Sequence, residues 1–187
     1  MKSLLVFTLT LTCGIASGQL TNPSKADIDE VIKLTISQKM TKKNTSCEHG
    51  QCGEWWTANK DSIFHKSDTL RFYNSSNIVY GDTAFCTSLV WDFENGNVFN
   101  DSQAQMCEEP PTRTVKVGAF LSGQKNKVKI PNRYKITSKD GKTFIVLYSD
   151  QEVFETFIVI DLTKTTQQNL GDKSYVMTLV KQKFGRR

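Results

Sequence analysis

The side chains that most often carry out chemistry are few and scattered in this sequence. The two histidines, His49 and His65, lie in neither a G-x-S-x-G nor an H-E-x-x-H motif, so the parts of a serine hydrolase or a zinc protease are missing. There is no glycine-rich loop of the phosphate-binding kind, and no pair of carboxylates is singled out by its spacing. The sequence therefore predicts a protein that is not an enzyme.

Two acidic residues stand out because they interrupt an apolar segment. In residues 142–162, Glu155 and Asp161 alternate with Phe157 and Val159, so the four share one face of an extended strand. A carboxylate buried among apolar side chains needs a partner, and an amine beside an aromatic ring would serve. If this face points into the fold, it predicts an amine site. If the opposite face points inward, both acids are surface residues and the apolar interior suits a lipid.

The first residues resemble an export signal. Met1-Lys2 is basic, Leu4 to Leu11 is mostly apolar, and Ala16-Ser17-Gly18 supplies small residues for cleavage. The apolar run is too short to cross a membrane, and no other segment approaches the length needed. We predict a signal peptide over residues 1–18 and one secreted, extracellular domain over residues 19–187, with no membrane partner.

Four cysteines follow the predicted signal peptide: Cys47, Cys52, Cys86 and Cys107. An even number in an oxidising compartment predicts two disulfides, and four cysteines allow three pairings. Closeness along the chain favours Cys47–Cys52 with Cys86–Cys107, and the other pairings stay open. His49 lies between the first two cysteines. Cysteines in a secreted loop are far more often disulfide-bonded than bound to zinc, so we predict no metal and no cofactor.

The remaining polar residues predict a solvated surface. Three N-x-S/T sequons, at Asn44, Asn74 and Asn100, lie in polar, turn-like stretches and predict a glycoprotein. The net charge of +5 comes from separated basic stretches. These stretches lack the interleaved aromatic residues that stack on bases, so no nucleic-acid partner is predicted.

The elements that would position these residues are mostly strands. One amphipathic helix is predicted over Lys25 to Ser37, and short strands separated by turns such as Glu94 to Asn97 follow from Glu54 onward. Lys142 to Leu162 is predicted to be a hairpin, and Thr163 to Asp172 a polar loop. Sequential strands with short turns predict an all-β fold, an eight-stranded antiparallel up-and-down barrel with an N-terminal helix. A sandwich, the competing architecture, usually needs longer crossovers.

A secreted barrel without catalytic residues predicts a binding protein with an internal cavity. An eight-stranded barrel is about wide enough to hold one small ligand. The predicted ligand-binding residues are aromatic side chains of the strands and one acid of the late hairpin: Trp55, Trp56, Tyr73, Trp91, Phe93, Tyr148, Glu155 and Phe157. The alternative is a protein-binding inhibitor that uses polar loops, such as residues 44–51 and 163–172, as its contact surface.

The chain resembles the lipocalins, and more closely the tick salivary lipocalins that include histamine-binding proteins. Gly53-Glu54-Trp55 stands where lipocalins often have G-x-W, Tyr73 to Cys86 resembles the start of a long hairpin in that group, and Leu147 to Asp150 resembles its late tyrosine-x-aspartate stretch. The resemblance covers nearly all of residues 19–187. It implies a non-enzymatic salivary protein that sequesters a mediator, either an amine such as histamine or serotonin or a lipid such as a leukotriene. It also allows a role as an inhibitor that binds a host protein of complement or haemostasis.

The chain departs from that family at the cysteines. Phe154 and Ser174 stand where relatives often have cysteines, and the family's final cysteine is also missing. Cys86 therefore lacks its usual partner, and the resemblance points to Cys107 as the substitute. The family's amine-binding pattern around these cysteines is incomplete, which leaves the identity of the ligand open.

Overall fold

The computed structural model describes residues 18–40, 53–74, 83–110, 112–116, 130–166 and 173–182. The strands are β1 (Gln19–Thr21), β2 (Trp55–Ala58), β3 (Thr69–Tyr73), β4 (Thr87–Glu94), β5 (Val98–Gln105), β6 (Thr112–Lys116), β7 (Arg133–Lys139), β8 (Lys142–Ser149), β9 (Glu152–Thr166) and β10 (Lys173–Lys181). The helices are α1 (Lys25–Met40) and α2 (Ile63–Lys66), with 3-10 turns at Lys60–Ser62, Thr83–Phe85 and Asn95–Asn97.

Eight of these strands close into an antiparallel barrel. Their order around the barrel is β9, β10, β3, β2, β4, β5, β7 and β8, and β8 pairs with β9 to complete the circle. The predicted all-β, eight-stranded antiparallel barrel with an N-terminal helix is confirmed. The order differs from a simple meander at one place, because β2 lies between β3 and β4. Residues 59–68 cross the end of the barrel, which lets β3 pair with β10 on the far side of β2.

Two strands lie outside the closed circle. β1 extends the sheet along β9, and β6 pairs with β5. Arg113 of β6 holds this strand against the barrel wall: its Nη1 donates to Glu54 Oε1 at 2.8 Å, and its Nε donates to Ser102 Oγ at 3.0 Å. The guanidinium also lies 6.0 Å from the centroid of the Trp56 ring. Because the Glu54 side chain is buried, this ion pair offsets part of the free energy of desolvating its carboxylate.

Alternation along the strands divides the buried side chains into two clusters. The larger one fills the barrel, and its aromatic members are Trp55, Phe64, Phe72, Trp91, Phe93, Phe99, Tyr134 and Phe157. The smaller one lies on the outer face of β2, β4 and β5, and consists of Trp56, Phe85, Val90 and Ala104 with Tyr73 packed against it. Successive side chains of a strand point to opposite faces, which is why Trp55 and Trp56 fall into different clusters.

Helix α1 covers one end of the barrel. Ile28, Val31 and Ile32 share one helical face and are buried in the larger cluster. The helix begins with a reciprocal capping pair: the backbone N–H of Ser24 donates to Asp27 Oδ2 at 2.8 Å, and that of Asp27 donates to Ser24 Oγ at 3.3 Å. None of the described helices is long and apolar enough to span a membrane.

The prediction of a loop over residues 163–172 is wrong at its beginning. Residues 163–166 continue strand β9, and Thr163 pairs with Gln19 on one side and Val176 on the other. Their polar side chains indicated a loop, but backbone pairing with β10 along residues 163–166, and with β1 at Thr163, holds them extended. Residues 167–172 and the other predicted contact loop, 44–51, lie outside the described residues.

The described disulfide joins Cys86, just before β4, to Cys107, just after β5. This pairing was predicted and is confirmed. Beside it the backbone N–H of Met106 donates to the Cys86 carbonyl at 2.8 Å, so the cross-link closes the open end of the β4–β5 hairpin. Cys47 and Cys52 lie outside the described residues, and their pairing stays a prediction.

The two described sequon asparagines differ in their surroundings. Asn74 is buried, and its Nδ2 donates to the Glu54 carbonyl at 3.2 Å. Asn100 is half-buried, and its Nδ2 donates to Glu94 Oε1 at 2.9 Å. Asn44 lies outside the described residues. Glycosylation of the three sites stays a prediction.

Replacing both Cys86 and Cys107 by serine should lower the free energy of unfolding by about 3 kcal/mol, because the loss of a cross-link frees the unfolded chain. The bond spans a sequence separation of 21 residues. Urea unfolding followed by tryptophan fluorescence measures the change. Because β4 and β5 remain paired along their whole lengths, the native spectrum of the variant should match that of the wild type. An unchanged unfolding midpoint would contradict the prediction.

Candidate functional site at the mouth of the barrel

Residues 59–67 cover the end of the barrel away from α1, which we call the mouth. Asn59 anchors this segment: its N–H donates to the Thr87 carbonyl at 2.7 Å, and its Oδ1 accepts from the Phe64 N–H at 3.0 Å. Between these bonds, Asp61 and Ser62 have φ angles of 56° and 60°, a conformation that few residues other than glycine adopt. The sharp turn that results directs the Phe64 side chain into the barrel.

An aromatic run leads from the mouth to the barrel centre. The centroid of the Phe64 ring lies 6.1 Å from that of Trp91 and 6.4 Å from that of Phe157. Trp91 stacks on Phe72 at 4.1 Å and meets Phe157 edge-on at 5.0 Å. Such stacked and edge-on pairs add to the free energy that burial supplies. Rings fill the barrel centre, so the internal cavity that the sequence predicts is not present there among the described residues.

The acid-bearing face of β9 points into the barrel. Phe157 and Val159 are buried in the larger cluster, and so is Leu147, which pairs with Glu155 across the two strands. Side chains of directly paired residues lie on the same face of a sheet, so Glu155 faces inward with Leu147. Phe154, by contrast, is 44% exposed. The structure thus decides which face of β9 points into the barrel, a question that the sequence left open.

Asp161, the second acid of that segment, does not join Glu155. The register between β9 and β10 shifts between Thr178 and Leu179, and beyond this bulge Leu162 is buried in the larger cluster. Asp161 instead accepts hydrogen bonds from Gln19 Nε2 at 3.0 Å and from Thr163 Oγ1 at 2.9 Å. Its carboxylate therefore helps to tie β1 to β9.

The carboxylate of Glu155 shares the mouth with the ammonium of Lys181. Lys181 Nζ lies 3.7 Å from Glu155 Oε1 and 4.2 Å from the centroid of the Phe64 ring, and it donates a hydrogen bond to the Phe64 carbonyl. The Lys181 and Glu155 side chains are 13% and 26% exposed. One ammonium thus contacts a carboxylate, a carbonyl and an aromatic face, the three groups that proteins use to bind an amine.

Burial raises the pKa of Glu155 above its ordinary value, and the positive charges of Lys181 and His65 offset this only in part. The His65 ring meets the Phe64 ring edge-on, with centroids 5.4 Å apart. The positive charges at the mouth therefore do not fully offset the cost of removing the Glu155 carboxylate from water. Further positive charge placed beside Glu155 would stabilise its ionised form.

Most of the predicted ligand residues come together inside the barrel, and three do not. Those that point inward are Trp55, Trp91, Phe93, Glu155 and Phe157. Trp56 and Tyr73 pack in the outer cluster, where Tyr73 meets Phe85 edge-on at 5.4 Å. Tyr148 is half-buried and follows the inward-facing Leu147, so alternation turns it away from the interior. These three cannot contact a ligand held inside the barrel.

Two residues of the mouth were missed from the sequence. Phe64 lies in a short segment without a strand pattern, and only the tertiary fold shows that it enters the barrel. Lys181 is not among the predicted ligand residues either. Alternation could have found it, because Lys181 follows Met177 and Leu179 at intervals of two on the inward face of β10.

A separate recess of about 270 Å³ lies beside α1. It is lined by Gly18, Leu20, Asp27, Glu30, Val31, Leu162, Lys164 and Tyr175. None of the predicted ligand residues lines it, and its Asp27 caps the helix. Within the described ranges, no three His, Cys, Asp or Glu side chains are grouped so that they could hold a metal ion. Of the predicted ligand residues, Glu155 lies at the mouth beside Lys181, and Phe157 contacts Phe64 there.

Glu155→Gln should change how stability depends on pH. Because its pKa is raised in the folded state, Glu155 binds its proton more tightly there than in the unfolded chain. Below pH 4.5, the ordinary pKa of this carboxyl, Glu155 is protonated in both the folded and the unfolded chain, so it adds no pH dependence to the free energy of unfolding. As the pH rises through the raised folded value, the wild type should lose stability relative to the glutamine variant.

Urea unfolding from about pH 4 to about pH 8 measures this difference, which should grow with pH. Asp161→Asn is the control, since this acid lies on the same strand but outside the interior. The free energies of unfolding of wild type and Glu155→Gln are compared at each pH. If their difference stays constant or shrinks as the pH rises, burial does not dominate the pKa of Glu155.

No protein-family model, curated protein or solved structure matches this chain. The resemblance to salivary lipocalins therefore stays a prediction. The barrel architecture is compatible with it but does not assign the chain to that family, so the function has to be argued from the chemistry of the mouth.

Proposed function

We propose that the protein is a non-enzymatic binding protein that captures a small organic amine at the mouth of the barrel. One observation carries the proposal: the half-buried Glu155 carboxylate points into an aromatic interior, and an ammonium lies against it. A carboxylate in such surroundings needs a positive partner. Glu155 is the proposed anchor for the charge of the ligand, and the Phe64 ring is its proposed aromatic partner.

The rings behind Glu155 favour an amine that carries an aromatic group. Phe64, Trp91 and Phe157 lie next to the acid or one ring further in, and each additional aromatic contact adds about 0.5–1.5 kcal/mol. Histamine and serotonin have this combination of ring and ammonium. A leukotriene carries a carboxylate of its own, which Glu155 would repel. The proposal therefore favours a biogenic amine over a lipid, in a secreted and salivary setting that rests on the predicted signal peptide and the resemblance.

Packing limits the size of such a ligand. Trp91 at the barrel centre is in contact with five other rings: Phe64, Phe72, Phe93, Phe99 and Phe157. Of these, Phe64 belongs to the short segment that covers the mouth, whereas the others lie on barrel strands. A ligand would therefore gain room when the turn that carries Phe64 shifts, so that the ring of the ligand contacts Trp91 and Phe157 while the Phe64 ring stays beside its ammonium.

Glu155→Gln should weaken the binding of histamine or serotonin at least tenfold, roughly 1.4 kcal/mol, because the neutral amide no longer attracts the ammonium. Isothermal titration at neutral pH measures the dissociation constants. Asp161→Asn is the matched control and should bind as the wild type does. Equal affinity in wild type and Glu155→Gln would remove Glu155 from the site, and failure of the wild type to bind any amine tested would overturn the proposed function.

A second candidate function is protein binding at the rim of the same mouth. Val153 and Phe154, which precede Glu155, are 51% and 44% exposed, and Ile63, which precedes Phe64, is 43% exposed. Each of these side chains is next in the chain to a residue of the mouth or to one such neighbour, and exposed apolar patches often mark a contact surface. In this alternative, Val153→Ser with Phe154→Ser should abolish capture of a host protein in a pull-down and leave amine titration unchanged. Glu155→Gln should leave the protein capture intact.

A further inference from the structure

The ammonium of Lys181 occupies the position that the ligand of the proposed function would take. It contacts the Glu155 carboxylate, the Phe64 carbonyl and the Phe64 ring, and its side chain is largely buried. These are the groups that we assign to ligand recognition. A bound amine and Lys181 would therefore need the same space and the same carboxylate.

The backbone around Lys181 is held on both sides. Its N–H donates to the Asp68 carbonyl at 2.8 Å, and the N–H of Gln182 donates to the Thr156 carbonyl at 2.9 Å. Only the side chain can therefore leave the mouth. A lysine side chain has a flexible four-carbon stem and a strongly hydrated ammonium. Because Lys181 is the last residue of β10, its ammonium can reach water while the stem still covers apolar surface.

We propose that Lys181 is a resident cation that competes with the ligand for Glu155 and so determines the affinity and selectivity of the mouth. The inference rests on the proposed amine-binding function. A ligand that binds exchanges one ammonium for another at the carboxylate, so the free energy of the new ion pair is offset in part by the loss of the Lys181 ion pair. The ligand has to gain affinity from contacts that Lys181 does not make.

This exchange predicts which ligands bind. A simple alkylamine offers only the ammonium that Lys181 already supplies, so it should bind poorly. An aromatic amine adds ring contacts with residues such as Trp91 and Phe157 and should displace Lys181. A neutral ligand that displaced Lys181 would leave the Glu155 carboxylate without its charged partner, which is unfavourable in a partly buried site. Lys181 thus selects ligands that are both cationic and aromatic.

Removing the lysine separates competition from simple structural support. If Lys181 only compensates the charge of Glu155, its loss makes ionisation of that carboxyl harder, and amine affinity stays the same or falls. If Lys181 competes with the ligand, its loss leaves an uncompensated carboxylate for the incoming ammonium, and the affinity rises. The two roles therefore predict changes of opposite sign in one titration.

Lys181→Met keeps the apolar stem and removes the charge. It should bind histamine or serotonin at least tenfold more tightly than the wild type does, and should gain measurable affinity for methylamine. Lys181→Arg, which keeps the cation, should show neither gain. Lys135→Met, at an exposed position of β7, controls for the general loss of one positive charge. Circular dichroism checks that each variant is folded, and Lys181→Gln takes the place of the methionine variant if that variant does not fold.

Unchanged or weaker amine binding in Lys181→Met, with binding intact in the wild type, would overturn the competition and leave the proposed function standing. Tighter binding that appears equally in Lys135→Met would also overturn it, because the effect would then be one of net charge. If neither the wild type nor Lys181→Met binds any amine tested, the proposed function fails, and the role of Lys181 fails with it.

Discussion

The packing of aromatic rings around Trp91 is the interaction on which the rest of the structure depends. Trp91 lies on β4, and the rings that touch it come from β3, β4, β5, β9 and the segment that carries α2. Phe64, Phe72 and Phe157 are distant from Trp91 in the chain, so this cluster joins elements that short turns alone would not hold together. Close packing of these rings resists the formation of voids, and the barrel wall is therefore held in one arrangement.

The same packing produces the electrostatic feature at the mouth. Glu155 follows the alternation that places Phe157 and Val159 inside, so its carboxylate is drawn toward apolar neighbours and away from water. Lys181 reaches the mouth by the same rule from the end of β10. The two charges meet because both strands turn their inward faces to one core, and burial of the acid exceeds what its cationic neighbours offset. This imbalance is the physical basis of the amine binding that we propose.

Particular residues show how far sequence reasoning carried. The capping pair at Ser24 and Asp27, the Cys86–Cys107 disulfide and the closed barrel follow from local signals that the tertiary fold leaves unchanged. The ligand residues were predicted less completely, because the aromatic character of a side chain does not reveal whether it points into the barrel or out of it. Trp56 is as apolar as Trp55 but lies one position further along its strand, and so it packs outside the barrel. Phe64 could not be predicted, since only the crossing of the barrel end brings it to Trp91.

By itself the sequence determined how apolar side chains repeat along each element. They alternate along the strands, which gives each strand two distinct faces, and in α1 they recur with the spacing of an amphipathic helix. It also determined that the late hairpin would carry acids on one of its faces. Which face points inward was decided only when the barrel closed, because alternation distinguishes two sides without saying which of them meets the core. One bulge opposite Thr178 then separated Asp161 from Glu155. The acid retained at the mouth is therefore a product of barrel closure and strand register.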